Sequence, residues 1–131
     1  MADKQNITGT IDAKEFDEAM AGAQESSTRY LHRLTKPFTF EGETFEELSF
    51  DFGKLTGADS LAIESELSAL GKNVLVPEFS AEYRLRMAVR ACTIVRADGR
   101  RLGTDAFRSL PIVDFNRILG AVRSFLLFAG Q

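Results

Sequence analysis

A chain of 131 residues, 44% hydrophobic and 27% charged, is the size of one domain with a sizeable core, and this balance excludes a wholly disordered polymer. No run approaches the roughly 18 apolar residues that cross a bilayer, and the Met1 start carries no apolar signal segment, so a cytosolic protein is expected. One cysteine, Cys92, and one histidine, His32, exclude an intramolecular disulfide and argue against a zinc site of usual ligand number.

The net charge of −3 hides an uneven distribution. Residues 1–78 hold 7 Lys/Arg against 15 Asp/Glu, whereas residues 79–131 hold 9 against 4. An acidic front and a basic rear attract each other, within one chain or between copies.

Residues 1–28 mix small and polar side chains, with Ile7, Ile11, Phe16 and Met20 as the larger apolar ones. They read as a flexible N-terminal arm with a short helix near 13–22, and a solvated tail outweighs a docking role for them.

A β-hairpin is expected over 33–52. Leu34, Phe38 and Phe40 alternate with polar residues, Glu41-Gly42 makes a two-residue turn, and Leu48, Phe50 and Phe52 alternate on the return. Phe45 falls out of step, which predicts a register-resetting bulge at Glu46-Glu47. His32, just ahead of this strand, reads as a partly exposed strand histidine.

A helix over about 57–70 follows from Thr56 as N-cap, Asp59 three residues on and Gly71 as terminator, with Ile63, Leu67 and Leu70 on one face. After the extended link "KNVLVPEF", Ser80 caps a helix over 80–96. Its two apolar stripes, Tyr83-Met87-Ala91-Ile94 and Leu85-Ala88-Cys92-Val95, make it central, and its polar seam lets Glu82 pair with Arg86. Thr104 caps a short segment over 104–110. Pro111 opens the last helix, 111–128, whose apolar face is Phe115, Ile118, Leu119, Val122, Phe125 and Leu126. Leu127 and Phe128 fall outside that face.

The fold class is therefore α+β: a hairpin packed on three to four helices, one globular domain over 29–131 behind the arm.

Catalytic chemistry finds little support. His32 has no nearby nucleophile motif, Cys92 sits in an apolar helix as a small hydrophobe, and Glu46-Glu47 or Glu64/Glu66 do not converge on one helical face. Phosphate loops, calcium loops and dinucleotide fingerprints are lacking, so neither cofactor nor metal is expected. Arg84, Arg86, Arg90, Arg96, Arg100 and Arg101 are read as partners of acidic residues, because a pI near 5.2 lacks the footprint of a nucleic-acid binder.

Three motifs in order, "KPFTFEGETFEELSFDF" from Lys36 to Phe52, "LTGAD" from Leu55 to Asp59 and "LPIVDFN" from Leu110 to Asn116, resemble the tail assembly chaperones of long-tailed bacteriophages, in particular those of Mu-like phages. The resemblance covers about residues 31–128. It implies a non-enzymatic assembly factor in the host bacterial cytoplasm that coats the tape measure protein, helps recruit tail tube subunits, self-associates and leaves before the virion is finished. It implies the short form of a family that often has a longer, frameshifted one. Phe45, Leu127 and Phe128 are the candidate partner-binding residues, with Arg100 and Arg101 of the basic turn "RADGRRLG" supplying charge. A structural tail or tail-completion subunit retained in the virion is the alternative, ahead of a nucleic-acid-binding module.

Overall fold

The computed structural model describes residues 28–129. The expected arm, apart from Thr28, and the short helix near 13–22 lie outside the described residues.

Strands β1 (Arg29–Phe40) and β2 (Glu43–Asp51) form an antiparallel hairpin. Phe40 pairs with Glu43, and the turn between them has Glu41 at φ 50 and Gly42 at φ 86, the double positive φ of a tight hairpin turn. The hairpin begins earlier than expected: Arg29 pairs with Asp51 and Tyr30 with Phe50.

The register does shift, but the extra residues lie on β1 and not at Glu46-Glu47. Arg33 pairs with Glu47 and Phe38 with Phe45, so Leu34 to Pro37 stand against Glu46 alone. Pro37 has no N–H to give the ladder, which places the break on its own strand. Phe45 and Leu48 are both buried in the core.

Helix α1 (Gly57–Ala69) starts as the sequence predicts: Asp59 Oδ2 accepts from the backbone N–H of Thr56 at 2.8 Å. It also ends as predicted, at Gly71 with φ 76, where the Lys72 N–H bonds the Leu67 carbonyl at 2.8 Å. Ile63 and Leu67 are buried, whereas Leu70, at the helix end, is exposed.

Helix α2 (Ala81–Ala91) is capped by Ser80, whose Oγ accepts from the Tyr83 N–H at 3.1 Å. It stops at Ala91, well short of the expected 96. Cys92 forms an antiparallel bridge to Phe50, and the Thr93 N–H bonds the Ser49 carbonyl at 2.9 Å. The β-branched run Thr93-Ile94-Val95 suits extended backbone, and pairing with β2 prevails over the apolar helical spacing. Val95, expected in a buried stripe, is exposed.

Helix α3 (Thr104–Arg108) is capped by Gly103 and not by Thr104. Helix α4 spans Ile112–Ser124, with Pro111 as its N-cap, and a π-helical turn, Phe125–Ala129, completes the expected 111–128 segment.

The core fills the space between the hairpin face and the four helices. Leu48, Phe50, Phe52, Ile63, Leu67, Leu85, Phe107, Ile118 and Val122 are all buried. Phe50 stacks on Tyr30 and Phe52 at 6.0 and 6.1 Å and meets Phe107 edge-on at 6.0 Å, while Phe52 stacks on Phe125 at 5.2 Å. The Phe-rich stretch 38–52 is thus mainly interior.

Candidate interaction surface

The acidic and basic halves of the chain meet on the outer side of α1 and α2. Arg90 reaches Asp59 at 2.9 Å and Glu66 at 3.0 Å on α1. Glu82 takes Arg86 on its own helix, Arg108 of α3 at 3.0 Å and Lys72 at 3.6 Å. Hydrogen bonds from Arg108 and Arg86 lower the Glu82 carboxyl to about 2. These arginines are satisfied by the chain's own carboxylates.

His32 corrects the expectation of a partly exposed residue, for it is only 3% exposed. Its Nδ1 lies 2.8 Å from the Tyr30 hydroxyl and its Nε2 2.7 Å from Oδ1 of Asp114, which is fully buried on α4. Thr35 donates to the same carboxylate through its N–H at 3.1 Å and its hydroxyl at 2.9 Å. Burial raises the Asp114 pKa, but the bonds from His32 and Thr35 outweigh it and leave the carboxyl below its ordinary range. Burial likewise pushes the Tyr30 hydroxyl up, against the opposing charge of Arg117. A hydroxyl, an imidazole and a carboxylate in line suggest proton-transfer chemistry, yet both ring nitrogens already have protein partners. The cluster fastens β1 to α4.

Cys92 is buried, and burial raises its thiol pKa, which holds it as the unreactive thiol.

The five residues singled out as partner-binding do not converge. Phe45 is 7% exposed in the core, which removes it from any surface of the folded chain. Arg100 pairs with Asp98 at 2.9 Å and Glu41 at 3.6 Å, and Arg101 donates to the backbone carbonyl of Cys92. Beside them Arg96 is buried, bonded to Glu41 at 2.7 Å with its guanidinium 5.3 Å from the Phe40 ring centre. Arg96 and Arg100 anchor the hairpin turn through Glu41, and Arg101 holds the end of α2. Leu127 is half-buried, and Phe128 is 65% exposed.

Among the described residues an apolar display lies in the link between α1 and α2. Leu75 is 92% exposed, with Val76 and Phe79 also exposed beside it. A cleft of about 310 Å³, lined by Glu64, Ser68, Lys72, Asn73, Val74 and Leu75, opens next to them. A second groove of about 360 Å³ runs between Arg108, Leu110, Ile112 and Phe115, with Ile112 74% exposed. Exposed apolar side chains grouped in this way mark places where partners bind. Sequence reading treated 72–79 as a plain connection. The available signal was four large apolar residues, Val74, Leu75, Val76 and Phe79, around Pro77.

Among the described residues no helix is long and apolar enough to cross a membrane, and no group of His, Cys, Asp and Glu is arranged to hold a metal ion. Family models, curated proteins and solved structures provide no match to the chain.

Proposed function

We propose that this chain is a phage tail assembly chaperone: a non-catalytic protein that binds the tape measure protein, helps recruit tail tube subunits, and acts in the host bacterial cytoplasm before the virion is complete. The observation that carries the reading is Leu75, 92% exposed with Val76 and Phe79 next to it, in the link between two helices whose Asp59, Glu66, Glu82 and Arg90 are paired within the chain. An exposed apolar loop beside a cleft suits the apolar face of a helical client, which is the recognition a chaperone for a long helical protein requires. The ordered motifs of 36–52, 55–59 and 110–116 support the same reading through their resemblance to that family.

Co-expression with tape measure segments tests it. The chaperone reading expects the segment to become soluble and to co-purify, and expects Leu75→Ser with Phe79→Ser to abolish capture. A segment that stays insoluble and unbound overturns the reading. Stoichiometric presence of the chain in purified particles, read by mass spectrometry, would assign it instead to the structural subunits of the tail.

A further inference from the structure

Two guanidinium groups meet beside the α1–α2 link with no carboxylate bound to either. Arg84 of α2 donates from Nη1 to the Leu119 carbonyl of α4 at 3.3 Å and from Nε to the Ser80 carbonyl at 3.4 Å. Arg123, one helical turn beyond Leu119, lies over the ring of Phe79 at 5.1 Å, and Phe79 immediately precedes Ser80. The two side chains therefore converge on the Phe79–Ser80 step, one from α2 and one from α4. Among the described residues neither forms an ion pair. This corrects the expectation of an acidic partner for Arg84, which holds for Arg86, Arg90, Arg96 and Arg100.

Holding like charges together is unfavourable. Burial lowers the Arg84 pKa and the charge of Arg123 lowers it further, so this guanidinium is both desolvated and repelled by its neighbour. The carbonyls of Ser80 and Leu119 and the π face of Phe79 fix the two cations in place without neutralising them. A local conflict of this kind is expected at a functional site, and an anion relieves it. A carboxylate suits best, because its two oxygens match the N–H fork of a guanidinium.

The surroundings decide what carries that carboxylate. Leu75, Val76 and Phe79 are exposed on the same link, and such side chains receive the apolar face of a helix. Glu78 of the link and Glu64 of the adjoining cleft form no ion pair among the described residues, while Lys72 of that cleft turns to Glu82 at 3.6 Å. A nucleic acid would bring further phosphates towards Glu78 and Glu64, and Arg123 already covers one face of the Phe79 ring on which a base would stack. A single acidic side chain at the border of an apolar helix face meets the arginines without that repulsion.

We propose, resting on the reading of this link as a client surface, that Arg84 and Arg123 bind a carboxylate borne by an amphipathic helix whose apolar face docks on Leu75, Val76 and Phe79.

Binding of synthetic helical peptides to the full chain, read by fluorescence anisotropy, tests it. The peptides share one leucine face and carry Glu, Gln or Lys along its border. The Glu peptide is expected to bind about tenfold tighter than the Gln peptide, with an advantage that shrinks as salt rises, and the Lys peptide to bind weakest. Arg84→Gln with Arg123→Gln should bring the Glu peptide to the level of the Gln peptide, and Arg123→Gln alone, at an exposed side chain, should remove part of the advantage even where Arg84→Gln fails to fold. Leu75→Ser with Phe79→Ser should abolish binding of the Glu and Gln peptides alike. Equal binding of those two peptides, or a Glu preference untouched by Arg123→Gln, overturns the proposal while the client surface stands, since both still bind. Failure of every peptide to bind also overturns it, and capture of tape measure segments in co-expression then judges the client reading separately. Displacement of the Glu peptide by an oligonucleotide overturns it in favour of nucleic acid. Self-association that Arg123→Gln removes and the Glu peptide dissolves, read by light scattering, overturns it in favour of a second copy.

Discussion

His32 and Asp114 stand 82 positions apart in sequence and meet at 2.7 Å between Nε2 and Oδ1 in the buried seam of β1 and α4. With the proton placed on Nε2 by its partners, the imidazole donates to Asp114 and accepts from Tyr30, so a neutral ring satisfies the whole set. Removing Asp114 leaves His32 and two Thr35 donors without their acceptor. Asp114→Ala is expected to lower unfolding free energy by about 3 kcal/mol in urea titrations. Asp114→Asn, which keeps one acceptor oxygen, should cost less.

The same carboxylate makes stability depend on pH. Its folded pKa lies below the ordinary 3.8, so its contribution is present above that value and is lost as pH falls through the folded pKa. Glu82 behaves alike, its contribution present above 4.5 and fading towards about 2. Thermal midpoints should therefore drop on acidification below about pH 4.5, and the drop should be shallower in Glu82→Gln.

Core and surface apolar residues should separate cleanly. Phe45→Ala is expected to cost about 3 kcal/mol, since the side chain is buried. Leu75→Ser, at a side chain almost wholly in water, should change stability by less than about 0.5 kcal/mol. Chemical denaturation of both variants checks the contrast, which is reversed if Leu75 and not Phe45 carries packing.

How far the sequence reveals these features depends on the range of the interaction that makes them. The Thr56–Asp59 start, the Ser80 cap and the Gly71 stop involve residues within a turn of one another, so they are visible in the order of letters. The end of α2 is not, because apolar spacing continues through Cys92 and Val95, and only β2 alongside makes that stretch extended. The burial of His32, which reads from the sequence as partly exposed, is hidden for the same reason: nothing near it announces Asp114. Of the candidate surface, Phe128 was legible as a residue off the buried face, whereas Leu75 lay in a segment whose shape depends on how α1 and α2 close on each other.

Gly71 offers a test of local geometry. Its φ of 76 suits glycine, and a Cβ there would meet nothing, so Gly71→Ala should cost about 1 kcal/mol from backbone conformation alone. Urea midpoints are expected to show that loss with an unchanged denaturant slope.

Cys92 should resist thiol reagents in the native state and react at once in denaturant, since burial both hides the sulfur and holds its proton. Labelling kinetics at rising urea would report opening of the contact between Phe50 and Cys92. Fast labelling without denaturant would contradict the burial.

The stacking of Phe52 on Phe125 and the bond from His32 to Asp114 have a consequence for the order in which the fold is made. On the ribosome the hairpin emerges before the side chains that cover its apolar face, Phe107 of α3 against Phe50 and Phe125 after α4 against Phe52. A nascent chain ending before about residue 107 must hold Phe50, and one ending before about residue 125 Phe52, without that cover, so folding waits on distant partners, as expected where contacts are widely separated along the chain. During that interval the nascent chain presents the kind of unprotected aromatic surface that folding chaperones recognise.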